Sequence, residues 1–287
     1  MVPTVIQKSL ATSLGLQVKG FKYLSGGCIN EAGKITTSRG NYFIKWNGKD
    51  RCPGMLEKEG IGLEALSKTK TVPLPEVVAA GEAGEWQYLV LEYIEPGALT
   101  PSSWEGLGSG LVQLHGHHQP SFGLGYDNYI GPLTQSNKEH GTWAGFFEHE
   151  RIRPLLEKLV QAKRIGHDML GPFDRMFARM GGIFPEGAPS LLHGDLWGGN
   201  VIGSRRGVAM VIDPAVYFGH REAEIAFTML FGAFEKPFYE AYHHLLPLES
   251  GFEERKDLYN LYPLLVHAIL FGDSYLGQVK RIIKHFT

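Results

Sequence analysis

The sequence LLHGDLWGGN, residues 191–200, contains the pattern that decides the fold. In it the amide of Asn200 follows five positions after the carboxylate of Asp195. The apolar run at residues 208–212 then leads to a second carboxylate, Asp213. One carboxylate that orients or accepts a proton, together with an amide and a carboxylate that can hold a divalent cation, is the set that phosphoryl transfer uses. The pattern therefore predicts a kinase, whose remaining residues must supply a nucleotide site and an acceptor site.

The spacing of these residues has a physical reason. We expect Asp195, the predicted catalytic base, and Asn200 to lie on one loop that bends back on itself. A short hairpin after that loop would bring Asp213 opposite Asn200, with Mg²⁺ between them, because Mg²⁺ prefers oxygen ligands. We expect His193 to hold the loop by packing and hydrogen bonding, and Trp197 to form a wall against the acceptor. The alternative is a structural loop with chance spacing.

Two charged residues upstream fit the same chemistry. Strand alternation over residues 42–46 places Lys45 on one face together with Phe43. Glu59 lies on the apolar face of a helix predicted over residues 55–66, where an unpaired carboxylate is costly. The two residues are therefore predicted to form the ion pair that positions nucleotide phosphates in kinases. The alternative is two unrelated, solvated charges.

A small-residue loop precedes this strand at residues 25–30. It matches neither the Walker pattern nor the full Gly-x-Gly-x-x-Gly pattern, yet its backbone N–H groups could lie along phosphate oxygens. We therefore predict a phosphate loop, and a simple hairpin turn is the alternative. The predicted nucleotide contacts in this loop are Ser25, Gly26, Gly27, Cys28 and Asn30.

Cys28 carries a separate hypothesis. A thiol among the amide dipoles of a phosphate loop can have a lowered pKa and become oxidisable. An intermolecular disulfide through Cys28 would distort the loop, so the chain is expected to be a monomer or a redox-dependent dimer. The alternative is that Cys28 is a small residue that fills the loop.

The composition bounds the compartment and the partners. The chain has 287 residues, a formal net charge of -2 and two cysteines. Such a charge provides no basic surface for nucleic acid or for a membrane, and two cysteines do not make a disulfide framework. The N-terminus lacks the pattern of a signal peptide, and no apolar run approaches the length of a membrane span. These features predict a cytoplasmic protein.

The sequence pattern changes near residue 94 from one that predicts strands to one that predicts helices. Over residues 21–46, short apolar runs separated by glycine turns are typical of an antiparallel meander, and residues 76–80 and 86–94 are predicted to form two more strands. From residue 102 the pattern is helical, with Ser102 or Ser103 as the first cap, single helices over residues 142–161 and 167–180, and several helices after Asp213. We therefore predict an α+β fold with a nucleotide-binding domain at residues 1–94 and a catalytic and substrate-binding domain at residues 95–287.

Two further stretches of the sequence contain candidate binding residues. The linker after the last predicted strand, formed by Glu92, Tyr93 and Ile94, is predicted to bind adenine through backbone groups. The histidines His115, His117 and His118 resemble a metal cluster, but no matching cysteine or carboxylate set accompanies them. We therefore favour an ordinary polar helix end for the histidines.

The chain resembles the fructosamine kinase (ketosamine-3-kinase) family, in the aminoglycoside and choline kinase-like branch of the protein-kinase fold. The motif DPAVYFGHRE at residues 213–222 is far more specific than a general kinase motif. The resemblance extends over almost the full length of the chain. The matching segments are residues 25–30, 43–47, 55–66, 114–115, 127–131, 191–201, 212–231, 238–251 and 258–272.

The resemblance implies a protein-kinase-like two-lobe fold, with a small N-lobe built from an antiparallel sheet plus a helix and a larger, mainly helical C-lobe. It implies ATP-dependent phosphorylation of the 3-hydroxyl of a ketosamine, the product of a sugar and an amine, either as a small molecule or bound to protein. The phosphorylated product is unstable and releases the amine, so the family acts in protein deglycation and repair.

The resemblance implies, position by position, the same roles that were predicted above. Asp195 is the base, Asn200 and Asp213 are the metal ligands, Lys45 and Glu59 form the ion pair, and residues 25–30 form the phosphate loop. It also repeats the role of Trp197 as the acceptor wall, and it adds His267 as a substrate contact. Three positions depart from the family pattern. Gly198 stands where serine is usual, Glu224 where aspartate is usual, and Val266 where asparagine is usual before His267. These departures put the rigidity of the catalytic loop, its anchoring and the substrate contact in doubt.

Two rival functions stay open on the sequence. The first is a kinase for another small hydroxylated amine, such as an aminoglycoside or choline. The second is a non-catalytic nucleotide-binding scaffold, against which the intact Lys45, Asp195, Asn200 and Asp213 argue.

Overall fold

A five-stranded antiparallel sheet forms the first part of the chain. The computed structural model describes residues 1–24 and 30–287. The strands are β1 (Val18–Tyr23), β2 (Glu31–Thr37), β3 (Gly40–Gly48), β4 (Val77–Ala83) and β5 (Trp86–Glu92), in the order β1-β2-β3-β5-β4. Helix α1 (Thr4–Leu14) precedes the sheet, and helix α2 (Met55–Thr69) connects β3 to β4. The antiparallel meander predicted for residues 21–46 is confirmed by β1, β2 and β3, and β5 rather than β4 pairs with β3.

The two faces of this sheet bury different helices. Ile44 and Trp46 of β3 pack in one cluster with the apolar residues of α1. Phe43, on the opposite face, packs in a second cluster with Leu56 and Leu63 of α2. This alternation follows from the period of two in a strand. As a result, Lys45 points to the same side as α2, toward the second part of the chain.

The second part of the chain is mainly helical, which confirms the α+β fold class. Its helices are α3 (Pro101–His115), α4 (Trp143–Phe146), α5 (Arg153–Gln161), α6 (Leu170–Ile183), α7 (Arg221–Thr228), α8 (Lys236–Leu245), α9 (Phe252–Tyr259), α10 (Leu261–Phe271) and α11 (Leu276–Phe286). Short strands form three antiparallel pairs: β6 (Asn128–Ile130) with β7 (Leu133–Gln135), β8 (Ser190–Leu192) with β11 (Tyr217–Gly219), and β9 (Val201–Gly203) with β10 (Ala209–Val211). None of the described helices combines the length and apolar character needed to cross a membrane.

The linker between the two parts is tied to the β9–β10 hairpin. The N–H of Gly97 donates to the carbonyl of Gly203 at 2.8 Å, and the N–H of Arg205 donates to the carbonyl of Glu95 at 2.8 Å. A Cβ at Gly97 would lie 2.3 Å from the carbonyl oxygen of Ser204, so only glycine permits this approach. The sheet ends at Glu92, and the domain division at residue 94 stays a prediction.

The start of α3 differs from the prediction. Thr100, and not Ser102 or Ser103, is the cap: its hydroxyl accepts the N–H of Ser103 at 3.2 Å, and the Ser103 hydroxyl accepts the N–H of Thr100 at 3.0 Å. This reciprocal pair is a capping box. Pro101 occupies the first helical position, where its missing N–H costs nothing, and the helix therefore begins earlier than predicted.

The predicted single helix over residues 142–161 is also wrong. A π-helix at Phe147–Ile152 separates α4 from α5, and at its end the N–H of Arg153 donates to the carbonyl of Glu148, five residues earlier. Pro154 lies in the first turn of α5. Because proline has no N–H and its ring clashes with the carbonyl four residues earlier, here that of Glu150, a regular α-helix cannot continue through this point. The π-helix widens the turn instead.

A buried ion pair connects α7 to α9. Glu222 is fully buried. Its two carboxylate oxygens accept hydrogen bonds from Arg255, one from Nε at 2.7 Å and one from Nη2 at 2.6 Å. The hydroxyl of Tyr259 donates to the same carboxylate at 3.0 Å. Burial favours a raised pKa for Glu222, but the Arg255 hydrogen bonds and charge outweigh it and lower the pKa. Glu222 is therefore ionised and depends on its partner.

Replacement of Arg255 by methionine leaves that carboxylate buried without a counter-charge. We expect the free energy of unfolding, measured by urea denaturation, to fall by about 3 kcal/mol. The control is Lys236→Met, which removes an exposed pair with Glu240 and should leave the unfolding midpoint unchanged. Equal losses of stability in the two variants would contradict this account of the α7–α9 contact.

Candidate active site

One cavity of about 520 Å³ lies between the sheet with α2 on one side and the helical part on the other. It brings together the predicted ion pair, the predicted base and the predicted metal ligands, which are separated by up to 168 positions in the chain. The described lining includes Lys45, Glu59, Asp195, Asn200 and Asp213. Residues that the sequence pattern linked by chemistry alone are therefore neighbours in space.

The catalytic loop is held from behind by a buried carboxylate. The N–H of Gly194 donates to Oε1 of Glu224 at 2.8 Å. Oε2 of Glu224 lies 2.9 Å from Nε2 of His115, whose Nδ1 is 2.8 Å from the hydroxyl of Tyr242. Gly194 has φ +84°, and a Cβ there would lie 2.0 Å from the carbonyl oxygen of Ala215. Glycine is required at this position for both reasons.

His193 fixes the segment around Asp213. Its Nε2 donates to the carbonyl of Ile212 at 2.9 Å, and its backbone carbonyl accepts the N–H of Ala215 at 2.9 Å. Nδ1 of His193 accepts the N–H of Asp195 at 3.3 Å, so the ring is neutral with its proton on Nε2. Burial lowers the pKa of His193, in agreement with this tautomer. The structural role predicted for His193 is consistent with these contacts.

Asn200 closes the loop onto Asp195. Its Nδ2 donates to the backbone carbonyl of Asp195 at 2.8 Å and to Oδ2 of the same residue at 3.0 Å. Burial raises the pKa of Asp195 well above the ordinary value, against the lowering effect of the Asn200 hydrogen bond. A carboxylate with a raised pKa is a better proton acceptor than an exposed one. In this orientation the amide oxygen of Asn200 is directed away from Asp195.

Asp213 adopts a backbone conformation that is rare for residues other than glycine. Its φ is +56°, in the left-handed region. Oδ1 accepts Nζ of Lys45 at 2.8 Å, and the side chain is 48% exposed. Such conformations concentrate at functional sites, because the surrounding structure must hold them in place. Here the two hydrogen bonds from His193 on either side of Asp213 do so.

Lys45 is 4% exposed and contacts two carboxylates at once. Its Nζ lies 2.5 Å from Oε1 of Glu59 and 2.8 Å from Oδ1 of Asp213. Burial alone would lower the pKa of Lys45, but the charges of Asp213 and Glu59 outweigh it and raise the pKa. Burial raises the pKa of Glu59 to about 7. The contact between Lys45 and Glu59 is the one that the sequence predicted.

The donors around this cavity fit a magnesium ion. The amide oxygen of Asn200 and the carboxylate of Asp213 both belong to residues of the cavity lining, and oxygen donors of this kind suit Mg²⁺. Oδ1 of Asp213 is occupied by Lys45, which leaves Oδ2 for a cation. One amide and one carboxylate form an incomplete set, so the remaining positions would be filled by phosphate oxygens and water.

The other end of the cavity is aromatic. Trp197 lies edge-to-face with Phe231, with ring centroids 6.1 Å apart, and the Phe231 ring is 4.2 Å from His267. Phe271 and Tyr275 continue this rim beyond His267. Trp197 and His267 both line the cavity. Nδ1 of His267 donates to the carbonyl of Pro263 at 2.8 Å, so Nε2 is left as an acceptor.

The predicted nucleotide contacts have different outcomes. Asn30 lines the cavity, whereas Ser25, Gly26, Gly27 and Cys28 lie outside the described residues. Consequently the phosphate loop and the redox role of Cys28 stay predictions. Glu92, Tyr93 and Ile94 follow or end β5 and do not line this cavity. Within the described ranges no hydrogen bond involves the backbone of Tyr93 or Ile94, which leaves those groups available to a ligand.

The metal cluster considered for His115, His117 and His118 is not formed. Among the described residues no group of three or more histidine, cysteine or carboxylate side chains could hold a metal ion. His115 is fully buried in the Glu224 network, and His118 Nδ1 lies 3.1 Å from the carbonyl of Pro189.

The three departures from the family pattern leave the site intact. Glu224 reaches the catalytic loop directly, so its longer side chain still anchors it. A Cβ at Gly198 would meet only the carbonyl oxygen of Gly232, at 3.9 Å, so neither space nor φ demands glycine there. Val266 is buried in the cavity wall next to His267 and offers an apolar contact where an amide was expected.

Several lining residues were not predicted. Lys58 precedes Glu59 and lines the cavity, with Nζ 5.3 Å from the ring centroid of Tyr126. His267, Phe271 and Tyr275 are spaced four positions apart, which marks one face of a helical segment and could have identified the aromatic rim. Phe231 carries no such signal, because it follows α7 in an irregular segment.

Comparisons with known proteins agree with this geometry. A family model described as "Fructosamine kinase" matches residues 1–287. The chain is 35% identical over 282 residues to a "Probable ketoamine kinase" of Synechocystis sp., covering 97% of this chain and 94% of that protein. It is 36% identical over 278 residues to the chloroplastic protein-ribulosamine 3-kinase of Oryza sativa subsp. indica, covering 94% and 79%.

Solved structures show the same relationship. The crystal structure of a protein assigned as a fructosamine-3-kinase of Haemophilus somnus 129PT superposes with a TM-score of 0.89 at 30% identity, covering 98% of this chain and 96% of that one. The choline kinase LicA of Streptococcus pneumoniae has a TM-score of 0.63 at 16% identity, covering 98% and 97%, and shows the protein-kinase-like fold alone. By its full-length family match and by these relatives, the chain belongs to the fructosamine kinase family.

Proposed function

We propose that the chain transfers the γ-phosphoryl group of ATP to the 3-hydroxyl of a ketosamine. The observation that carries the proposal is the placement of Lys45, Glu59, Asp195, Asn200 and Asp213 in one cavity beside an aromatic rim. The names of the relatives, ketoamine kinase and protein-ribulosamine 3-kinase, supply the acceptor class. Because a 3-phosphorylated ketosamine eliminates phosphate and releases its amine, the reaction would serve deglycation.

In the proposed reaction the acceptor hydroxyl binds next to Asp195. The carboxylate of Asp195 accepts the hydroxyl proton as the acceptor oxygen bonds to the γ-phosphorus, and the bond from that phosphorus to the β–γ bridging oxygen breaks to release ADP. Asn200 holds Oδ2 of Asp195, which directs the other carboxylate oxygen to the acceptor. The step is a direct transfer without a phosphoenzyme.

Lys45 and the predicted metal ligands act on the nucleotide. The Lys45 ammonium has three N–H donors; it donates one to Asp213 and forms an ion pair with Glu59, so a donor remains for a phosphate oxygen. Asn200 and Asp213 would hold Mg²⁺, which when bound offsets the negative charge of the phosphates. Glu59 would also hold Lys45 in place if Asp213 held a cation. The backbone of Tyr93 and Ile94 would bind the adenine.

The acceptor is proposed to lie against the aromatic rim. Trp197 and Phe231 form an apolar face beside Asp195, on which the carbons of the sugar and the amine can pack. A protonated amine near these rings would gain cation–π attraction. Nε2 of His267 can accept a hydrogen bond from a sugar hydroxyl.

The substitution Asp195→Asn tests the predicted base. It keeps the shape of the side chain but removes the proton acceptor, so kcat should fall about a thousandfold. The affinity for ATP, measured by calorimetry, should change little. ADP release in a coupled assay gives kcat, and Asp257→Asn, an exposed carboxylate on α9, is the control. An Asp195→Asn variant with near wild-type turnover would remove Asp195 from the mechanism.

The substitution Asp213→Asn tests the predicted metal site. An amide in place of the carboxylate keeps an oxygen ligand but loses its charge, so the Mg²⁺ concentration for half-maximal activity should rise about tenfold or more. A Mg²⁺ titration at saturating ATP measures this, and EDTA should abolish activity in both proteins. Unchanged Mg²⁺ dependence would place the cation elsewhere.

A panel of acceptors decides the substrate class. We expect ADP release with ribulosyl-lysine and fructosyl-lysine, and none above background with choline or an aminoglycoside. Preferential turnover of choline or an aminoglycoside would instead support a kinase for another hydroxylated amine. Absence of ADP release with every acceptor, in a protein that binds ATP, would support a non-catalytic scaffold.

A further inference from the structure

Arg151, in the π-helix, is a fully buried cation without a carboxylate partner. Its exposure is 0%, and no salt bridge in the described part of the chain includes it. The guanidinium lies instead against three aromatic rings, 4.0 Å from the centroid of Tyr217, 4.4 Å from Phe146 and 5.3 Å from Tyr262. A buried charge without a counter-charge is costly, so its presence calls for a physical reason.

The hydrogen bonds of Arg151 account for its position in the π-helix. Nη1 donates to the carbonyl of Glu150 at 3.0 Å and to the carbonyl of Ser136 at 2.5 Å. In a regular helix the carbonyl of Glu150 would accept the N–H of residue 154, which is proline. Arg151 therefore satisfies the acceptor that Pro154 leaves without a donor. Nη2 donates to Oδ1 of Asn137 at 2.8 Å, whereas the buried Nε has no hydrogen-bond partner among the described residues.

From Asn137 the hydrogen bonds continue to the wall of the cavity. Nδ2 of Asn137 donates to Oδ1 of Asn128 at 3.0 Å and to the carbonyl of Tyr126 at 3.1 Å. Asn128 lines the cavity, and its own Nδ2 donates to the carbonyl of Val216 at 2.8 Å. Arg151 is thus connected, through two buried amides, to the segment that follows Asp213.

A second arm leads from Arg151 to the same place. The hydroxyl of Tyr262, whose ring faces the guanidinium, donates to Oε1 of Gln135 at 2.6 Å. Nε2 of Gln135 then donates to Oδ1 of Asn128 at 2.8 Å and to the carbonyl of Ala215 at 3.1 Å. Gln135 and Asn128 are 2% and 5% exposed, so water does not compete for these bonds. Both arms end on Asn128.

We propose that Arg151, acting with Tyr262, is a positioning residue for the acceptor half of the active site. It ties the wall at residues 128–131 to Ala215 and Val216 and, through Tyr262, to α10, the helix that carries His267 of the aromatic rim. This inference rests on the proposed kinase function. The nucleotide half is held separately, since Lys45 contacts Glu59 and Asp213, and His193 fixes Asp213 from both sides. Loss of Arg151 should therefore affect the acceptor and spare ATP.

Two substitutions test the proposal. Arg151→Lys keeps the charge but loses the planar set of donors, and Tyr262→Phe keeps the ring but removes the hydroxyl that bonds to Gln135. Both should raise the acceptor KM by about threefold to thirtyfold, with the ATP KM within about twofold of wild type. Tyr262→Phe changes one oxygen atom, so it decides the question if Arg151→Lys does not fold.

Matched controls separate positioning from stability. Arg255→Lys alters a buried arginine in the α7–α9 pair, and Tyr88→Phe removes a partly buried hydroxyl of β5 that bonds to Ser9 of α1. These controls should lower the melting temperature without moving the acceptor KM. If Arg151→Lys and Tyr262→Phe likewise lower only the melting temperature, the positioning role is wrong.

Hydrogen exchange provides a readout that does not depend on turnover. The amides of residues 126–137 should exchange faster in Arg151→Lys and Tyr262→Phe than in wild type, while those of β3 and α2 keep their rates. A wild-type protein without turnover on any ketosamine would refute the proposed function, and the exchange data would still test the positioning. Unchanged exchange at residues 126–137 would overturn it.

Discussion

The candidate active site depends on the contacts that the ammonium group of Lys45 makes with Glu59 and Asp213. At 4% exposure the charge of Lys45 is costly unless it is compensated, and Glu59 and Asp213 provide the opposite charges. Lys45 belongs to β3, Glu59 to α2, and Asp213 to the segment after β10. One buried cation therefore joins the sheet, its helix and the helical part of the chain at the place where the nucleotide is proposed to bind.

The loop at residues 193–200, which carries the predicted base Asp195, is held by groups outside the proposed chemistry. Glu224 accepts the N–H of Gly194, and His193 bonds to the backbone on both sides of Asp213. Burial keeps His193 neutral, so its two nitrogens serve as one donor and one acceptor. Because these groups hold the loop, one carboxylate oxygen of Asp195 remains for the proposed acceptor, and the amide oxygen of Asn200 remains for the proposed cation. The acceptor half is organised differently, through the amides that extend from Arg151 to Asn128.

Much of this site was predictable, because phosphoryl transfer restricts both residue types and their spacing. The pairing of Lys45 with Glu59 followed from the cost of an isolated charge on an apolar face, and the structure places the two in contact. Local rules were less reliable where they competed. The cap of α3 is Thr100, because Pro101 favours the first helical position. The π-helix was not predicted, because its cause, Pro154, acts together with the distant partners of Arg151.

The sequence alone determined the fold class, the family resemblance and the candidate catalytic and metal-binding residues, since these depend on periodicity and on short motifs. Only the tertiary structure decided what surrounds those residues. The anchoring role of Glu224, the aromatic rim of Phe231, Phe271 and Tyr275, and the link from Arg151 to Asn128 are contacts between distant segments. No local pattern specifies such contacts, because they arise when helices and strands pack and buried polar groups must find partners.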